Sequence, residues 1–310
     1  MTKTEPESQH WFALVLLCVA QFMVVLDFSI VNVALPAMQH SLGFSQQNLQ
    51  WVVSAYALTF GGFLLLGGRA ADILGRRRVV MAGLGLFALA SLVGGVAQFQ
   101  WVLIAARAFQ GLGAAIISPA ALSILTTTFK EGDERNRALG IWGAIAASGF
   151  AAGVLLGGIL TDALSWRWVM FVNVPIGIAV IAFSPGLLSE NHELTTTRRI
   201  DLAGAVTVTL GLVALVYALV QAPEFGWVAW QTLLLFGLAI ALLALFVVIE
   251  SRVGAPLIPL RIFRLRTLTA ANIVALFMSA AVGSMVFILT LYMQQVLEYS
   301  ALQNSTYNHR

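Results

Sequence analysis

The chain is a series of apolar runs, each about 20 residues long, joined by short polar segments. A helix of about 20 residues is long enough to cross the hydrocarbon core of a bilayer, and it satisfies its own backbone hydrogen bonds, as lipid requires. Charged residues make up only 10% of the 310 residues, whereas soluble domains contain about 25%. The sequence therefore predicts an all-α polytopic membrane protein.

Two long polar interruptions divide the apolar runs into three groups. The first covers residues 189–199 and follows six runs, and the second begins near Arg252 and leaves one run after it. The predicted spans lie near residues 11–36, 48–68, 79–98, 101–127, 137–162, 167–188, 201–221, 229–250 and 268–293. We therefore divide the chain into residues 1–188 with six spans, 189–267 with a linker and two spans, and 268–310 with one span and a polar tail.

Basic residues predict which ends of the spans face the cytoplasm, because short loops rich in Arg and Lys stay on that side. With the amino terminus in the cytoplasm, only Arg167 falls in an outer loop. The cytoplasmic segments then hold Lys3, Arg69, Arg76, Arg77, Arg78, Lys130, Arg135, Arg137, Arg198, Arg199, Arg252, Arg261, Arg264 and Arg266. The outer interface, where indole rings favour the headgroup level, holds Trp51, Trp101, Trp166, Trp168, Trp227 and Trp230. We expect a multi-pass protein of the cell membrane. Its cations lie in short loops between apolar runs rather than on one solvated face, which argues against nucleic acid as a partner.

Five short motifs occur on particular spans. They are Leu26 to Pro36 in span one, Gly68 to Arg77 after span two, Arg107 to Gly113 in span four, Gly149 to Gly158 in span five, and Ser165 to Trp168 with Phe171, Asn173, Pro175 and Gly177 in span six. In this order they resemble the motifs of drug/proton antiporters of the major facilitator superfamily, in the branch with fourteen spans. Two positions depart from that pattern: Ile73 replaces a basic residue of the loop motif, and Val154 replaces a Pro of the span-five motif.

The resemblance covers roughly residues 11–302 and implies an architecture of the major facilitator type. Residues 1–188 would form a six-span N-terminal bundle, with spans seven and eight as an inserted pair and span nine as the first span of a second half. The family branch has five further spans, whereas this chain continues into an unrelated polar segment at Asn304. We therefore expect a chain that is truncated on its C-terminal side. Arg107 and one side of span two would then face lipid, a second copy or a missing half.

Two charged residues lie inside apolar runs. Asp27 is deep in span one, where an uncompensated carboxylate costs about 3 kcal/mol or more. It either exchanges a proton or makes a polar packing contact, for example to Asn32 or to a neighbouring backbone. Arg107 in span four retains its proton, so it acts on an anion or on a nearby carboxylate, or makes a structural pairing. The resemblance implies that Asp27 and Arg107 serve proton coupling, with the proton as coupling ion and no cofactor.

The basic loop and the span-five glycines each have two interpretations. In one interpretation, Arg76, Arg77 and Arg78 only anchor the topology. In the other, a gating loop closes the cytoplasmic side through Asp72–Arg76 contacts, and its residues are Gly68, Asp72, Gly75, Arg76 and Arg77. The glycines recur every fourth residue, which allows close approach of another helix. The residues with this spacing are Gly149, Gly153 and Gly157, and Gly158 follows them. These glycines either support ordinary packing or seal the two halves against each other.

Candidate residues for a substrate cavity are Tyr56, Asn32 and Gln110, although Tyr56 with Phe60 and Phe63 is also consistent with core packing. A phosphate-binding loop of the Gly-Lys-Ser/Thr type is absent from the sequence, and its four histidines are scattered without metal-binding spacing. We therefore expect neither an enzyme nor a metal site. The resemblance implies proton-driven export of an amphipathic small molecule by alternating access. The alternatives are a uniporter or importer of a metabolite, and a truncated membrane protein without transport activity.

Overall fold

The computed structural model describes residues 7–188, 201–254, 256 and 260–295. The described helices are α1 Glu7–Leu42, α2 Gln46–Leu74, α3 Arg76–Gly95, α4 Gln100–Thr128, α5 Asp133–Ala163, α6 Arg167–Phe171, α7 Asn173–Leu187, α8 Leu202–Phe225, α9 Trp230–Arg252 and α10 Arg266–Gln295. A short 3-10 helix covers Leu260–Arg264. The prediction of an all-helical chain is therefore confirmed for these residues.

Eight helical spans among the described residues are long and apolar enough to cross a membrane, with α6 and α7 together forming the sixth. They correspond to the first eight predicted spans. The ninth predicted span falls within α10, whose described apolar stretch, Arg266–Ala281, is shorter than a full span. The predicted linker at 189–199 and the polar tail after residue 295 lie outside the described residues.

The connection between α2 and α3 is much shorter than the sequence predicted. We expected a loop over residues 69–78, but α2 continues to Leu74 and α3 begins at Arg76. Gly75 alone joins them, with a φ of 98° that glycine adopts at little cost. The prediction was wrong because it ended the helices where the hydrocarbon ends, whereas Arg and Ala are strong helix formers that continue a helix into the headgroup region.

The sixth span is broken into two helices at Val172. Pro175 explains the break, since it has no N–H to donate to the carbonyl one turn earlier. Asn173 is consequently the first residue of α7, and its side chain is fully buried. The break places a polar amide in the middle of the bundle.

Helices α1 to α7 pack into one bundle, in which α2 and α3 both lie against α4, and α1 lies against α5. Small residues permit these close crossings. A Cβ on Gly113 of α4 would lie 2.9 Å from the carbonyl oxygen of Gly83 in α3. A Cβ on Gly67 of α2 would overlap the carbonyl oxygen of Ala115 in α4. The bundle core therefore depends on direct backbone contact around α4.

Side-chain contacts identify the two ends of the bundle. At one end, Arg76 donates to Thr127 over 3.0 Å, which joins the start of α3 to the end of α4. At the other end, Arg167 Nη1 donates to the carbonyls of Gly95 (2.8 Å) and Ala97 (2.7 Å), which cap α3. The predicted interfacial tryptophans lie near the starts of α2, α4, α6 and α9, at this second end. Apart from Arg167, the basic residues of the helix ends thus lie opposite the six tryptophans that the sequence predicted for the outer interface.

Helix α8 packs against the outside of α2 and pairs with α9. Thr209 Oγ1 in α8 donates a hydrogen bond of 2.7 Å to the carbonyl oxygen of Gly62 in α2. Nearer the tryptophan end, the rings of Trp51 and Tyr217 lie 5.6 Å apart. Helix α8 therefore attaches to the six-span bundle at α2, and α9 is held through α8.

Candidate functional site

Asp27 lies at the centre of a buried polar network. Its side chain is 0% exposed. Arg107 Nη1 donates to Asp27 Oδ2 over 2.5 Å. Asp27 Oδ1 accepts from Gln110 Nε2 over 3.1 Å and from Asn173 Nδ2 over 2.7 Å. The carboxylate on α1 is thus hydrogen-bonded from α4 and α7.

Arg107 is held through its Nε, its Nη1 and the flat face of its guanidinium group. It is 1% exposed, although it is one of the largest side chains in the core. Its Nε donates to the carbonyl oxygen of Val52 in α2 over 3.0 Å. Its Cζ lies 4.3 Å from the centre of the Tyr56 ring, an arrangement that favours a cation. The ion pair with Asp27 leaves the site without net charge, which reduces the cost of burial.

Gln110 connects the ion pair to a third helix. Its Oε1 accepts from Arg107 Nη1 over 2.9 Å, while its Nε2 donates to Asp27 and, over 2.7 Å, to Ser91 Oγ in α3. The amide therefore uses both of its ends. Five helices contribute to the network: α1 supplies the carboxylate, α4 the cation and Gln110, and α2, α3 and α7 supply the remaining partners.

The network restricts where a proton can bind. Arg107 cannot lose its proton in a protein, so it only donates hydrogen bonds. Asp27 is the one carboxyl group in contact with it among the described residues. Asp27 is therefore the group in this network that can bind a proton. Protonation would remove its negative charge and weaken its attraction to Arg107.

The structure brings together charges that the sequence identified separately. Asp27 and Arg107 are 80 positions apart in the chain. The alternative contact of Asp27 to Asn32 is not made, because Asn32 Nδ2 donates to the backbone oxygen of Phe28 over 2.7 Å. Our expectation that Arg107 faces lipid, a second copy or a missing half is also wrong, since α1 and α2 cover its side chain.

Of the three residues proposed for a substrate cavity, only Asn32 has an exposed side chain. Tyr56 and Gln110 are buried within the network, at 2% and 0% exposure. Tyr56 is nevertheless connected to the surface by aromatic contacts. Its ring centre lies 6.1 Å from that of Phe28, which is 39% exposed, and 6.1 Å from that of Phe60. These three rings, the aromatic row, extend from the surface to Arg107.

Asn173 and Ser91 are members of the network to which the sequence assigned no role. Asn173 was recognised only as part of a span-six motif, and Ser91 was not singled out. Neutral polar side chains occur in membrane spans without a large energetic penalty, so they are less conspicuous than charges. A signal for Asn173 was its position two residues before Pro175, where a helix break was to be expected.

The span-five glycines pack against α1. A Cβ on Gly149 would lie 3.1 Å from the carbonyl oxygen of Phe22, and one on Gly157 would lie 3.0 Å from that of Ile30. A Cβ on Gly153 would overlap Ser29 Oγ and crowd the carbonyl oxygen of Leu26 at 2.7 Å. Gly158 is buried beside them, and α5 is continuous through Val154. The glycines therefore support close packing within the bundle, next to Asp27.

The residues of the predicted gating loop tie helix ends together at the basic end of the bundle. Arg76 lies 3.9 Å from Asp72, and both side chains are partly exposed, at 30% and 41%. Arg77 Nη1 donates to the carbonyl oxygen of Leu188 over 3.2 Å, just after α7. Gly68 faces Pro119 of α4, with 3.5 Å from an added Cβ to the proline side chain. A gating role for these residues stays a prediction.

Relatives of known name cover almost the whole chain. It is 49% identical over 304 residues to the cephamycin export protein CmcT of Amycolatopsis lactamdurans, and this match covers 97% of the chain and 62% of CmcT. It is 41% identical over 295 residues to the puromycin resistance protein pur8 of Streptomyces alboniger, covering 95% and 58%. It is 33% identical over 308 residues to the multidrug transporter protein MdtP of Bacillus subtilis, covering 99% and 56%. The chain thus spans less than two thirds of the length of these relatives.

Solved structures support the fold. The tetrameric PepTSo2 structure superimposes with a TM-score of 0.57 at 19% identity, and the match covers 94% of this chain and 61% of that one. The family model described as Major Facilitator Superfamily matches residues 17–307. With eight helical spans long and apolar enough to cross a membrane among the described residues, this is a multi-pass membrane protein, and it belongs to the Major Facilitator Superfamily.

Proposed function

We propose that the complete transporter to which these residues belong exports amphipathic small molecules across the cell membrane and is driven by protons. The observation that carries this proposal is the buried Asp27–Arg107 pair beside the aromatic row. The pair supplies the proton site and the row supplies an apolar surface next to it. No bound cofactor takes part in this mechanism.

The substrate class is supported by two independent features. The exposed ring of Phe28 and the amide of Asn32 lie one turn apart on α1, so they offer apolar and hydrogen-bonding contact together. The named relatives export cephamycin, confer resistance to puromycin or transport several drugs, and they are 33–49% identical to this chain. These compounds are small organic molecules, which suits such a surface.

Coupling follows from competition for Asp27. When Asp27 is ionised, it holds Arg107 and closes α1 onto α4. When Asp27 binds a proton, the attraction weakens, and the two helices are free to adopt the alternative arrangement that alternating access requires. The proposed transporter has the fourteen-span layout, with α1 to α7 as one half, α8 and α9 as the inserted pair, and a second six-span half. The amino terminus lies in the cytoplasm.

The test uses a chimaera in which residues 1–302, which already include the first span of the second half, are fused in frame to the remaining five spans of the cephamycin export protein. Everted membrane vesicles are energised, and a fluorescent probe reports proton release when a drug is added. Asp27→Asn retains the shape of the side chain but cannot titrate, so drug-dependent proton release should disappear. The matched control is Asp162→Asn, which removes an exposed carboxylate from α5. Proton release that persists in Asp27→Asn would place the coupling site elsewhere.

A further inference from the structure

We propose that Asn173 is a positioning residue that hydrogen-bonds Asp27 in both of its protonation states. Its amide nitrogen donates a hydrogen bond to the ionised carboxylate. Once Asp27 has bound a proton and the amide has made a half-turn, the amide oxygen accepts a hydrogen bond from the protonated carboxyl group. This inference rests on the proposed proton exchange at Asp27, and it identifies which neighbour accommodates the proton.

The observation is an amide that uses only one of its two ends. Asn173 is 0% exposed, and its Nδ2 donates to Asp27 Oδ1 over 2.7 Å. Its Oδ1 is buried and has no hydrogen-bond partner in the part of the chain that the structure describes. If Asp27 were always ionised, this buried amide oxygen would have no hydrogen-bond partner, which is unfavourable. The same oxygen is what a protonated carboxyl group needs, because that group becomes a donor.

The other neighbours of Asp27 cannot accept a hydrogen bond from its protonated carboxyl group. Arg107 offers donors only. Gln110 already accepts from Arg107 and donates to Asp27 and Ser91, so a rotation of its amide would break all three bonds. The titratable or charged groups that face Asp27 among the described residues are Arg107 on α4 and Tyr56 on α2, whose hydroxyl donates to the Val24 carbonyl over 3.4 Å.

The two states then differ by one proton and one amide rotation. In the ionised state, Asp27 Oδ1 accepts from Asn173 Nδ2 and Gln110 Nε2, and Oδ2 accepts from Arg107. A proton from water binds Oδ1, and the new O–H donates to Asn173 Oδ1 once the amide has turned about its Cβ–Cγ bond. Oδ2 remains an acceptor for Arg107. Asn173 therefore keeps the protonated carboxyl hydrogen-bonded inside the bundle.

Its place in the chain permits this rotation. Asn173 is the first residue of α7, directly after the break at Val172. Its side chain makes no hydrogen bond to the helix backbone, in contrast to Asn32, whose amide is bonded to the Phe28 carbonyl. A rotation of the Asn173 amide thus requires no change in α7.

Infrared difference spectroscopy of the 310-residue chain in lipid vesicles, at acid minus neutral pH, tests this assignment. The C=O stretch of a protonated Asp27 should appear in the unaltered chain and vanish in Asp27→Asn. In Asn173→Ala the carboxyl group loses its acceptor, so the band should move to higher frequency. Asn173→Ser supplies a smaller acceptor and should restore part of the shift. The matched control Asn32→Ala changes an amide on α1 that does not touch Asp27, and the band should stay in place.

A second measurement needs no substitution at Asn173. With ¹³C-labelled asparagine, acidification should perturb one side-chain amide band in the unaltered chain and leave it unchanged in Asp27→Asn. An Asp27 band whose frequency is the same with and without the Asn173 amide, together with an unperturbed asparagine band, overturns the role of Asn173 and leaves the proton site intact. Absence of any carboxyl band that depends on Asp27 contradicts the proposed proton site itself.

Discussion

At the scale of the residue, the main physical problem is the burial of two opposite charges. Asp27 and Arg107 are 0% and 1% exposed, so each relies on the other for compensation. Removal of one partner from a buried pair leaves an uncompensated charge and costs about 3–5 kcal/mol. Removal of both charges together leaves only neutral polar groups, which the surrounding amides can hydrogen-bond.

We therefore expect non-additive effects on stability. Arg107→Gln should lower the free energy of unfolding by about 3 kcal/mol, and the double variant Asp27→Asn with Arg107→Gln should be more stable than Arg107→Gln alone. Unfolding in mixed detergent micelles, followed by tryptophan fluorescence, measures both values. Additive losses would show that the two side chains do not interact in the folded protein.

A second residue-scale prediction concerns the contact between α5 and α1. Gly153→Ala adds a Cβ that overlaps Ser29 Oγ, so it should lower the free energy of unfolding by about 1–3 kcal/mol through overpacking. Gly143→Ala is the matched control in the same helix, since a Cβ there meets nothing within 4 Å. The same unfolding assay compares them. Equal stability of the two variants would contradict the close approach at Gly153.

The sequence identified the two charges because charged residues in apolar runs are conspicuous. It could not pair them, since two side chains 80 positions apart meet only through the packing of α1 on α4. It also assigned Tyr56 and Gln110 to a cavity that the structure does not open, because polarity alone does not distinguish a cavity wall from a satisfied buried group. Asn173 and Ser91 were not recognised as members of the network, because a neutral amide or hydroxyl is tolerated in many membrane spans.

At the scale of the element, apolar length predicted eight of the spans, whereas the ends of the helices followed local chemistry that hydropathy does not show. The attachment of α8 to α2 was also beyond prediction, because it depends on one hydroxyl, Thr209, that reaches the Gly62 carbonyl. A Cβ added to Gly62 would lie 3.9 Å from the Cα of Thr209. Such proximity suits a disulfide.

We expect Gly62→Cys with Thr209→Cys to form a disulfide in the membrane, in a chain whose Cys18 is replaced by Ala. A protease site placed within residues 189–200 makes the bond visible, since the disulfide holds the two fragments together on a non-reducing gel. The matched control pairs Gly61→Cys with Thr209→Cys, because a Cβ on Gly61 has no neighbour within 4 Å. Equal yields from both pairs would contradict the docking of α8 on α2.

At the scale of the whole molecule, the bundle has a basic end and a tryptophan end, and we expect the basic end to face the cytoplasm. Gln47 at the start of α2 and Asn136 at the start of α5 are exposed and lie at opposite ends. With Cys18→Ala as background, Gln47→Cys should react with an impermeant thiol reagent in intact cells, and Asn136→Cys should react only after the membrane is opened. The reverse pattern would invert the orientation.

The last prediction concerns the 310 residues on their own. Alternating access requires two bundles that rock against each other around a central site, and in the proposed transporter α1 to α7 are one of them. The Asp27 network is complete within that bundle, so we expect the chain to insert, fold and bind a proton. In liposomes with an imposed proton gradient, however, it should export no dye above a lipid-only control, whereas the chimaera with a second half should. Energised export by the 310 residues alone, lost in Asp27→Asn, would mean that two copies supply the two bundles.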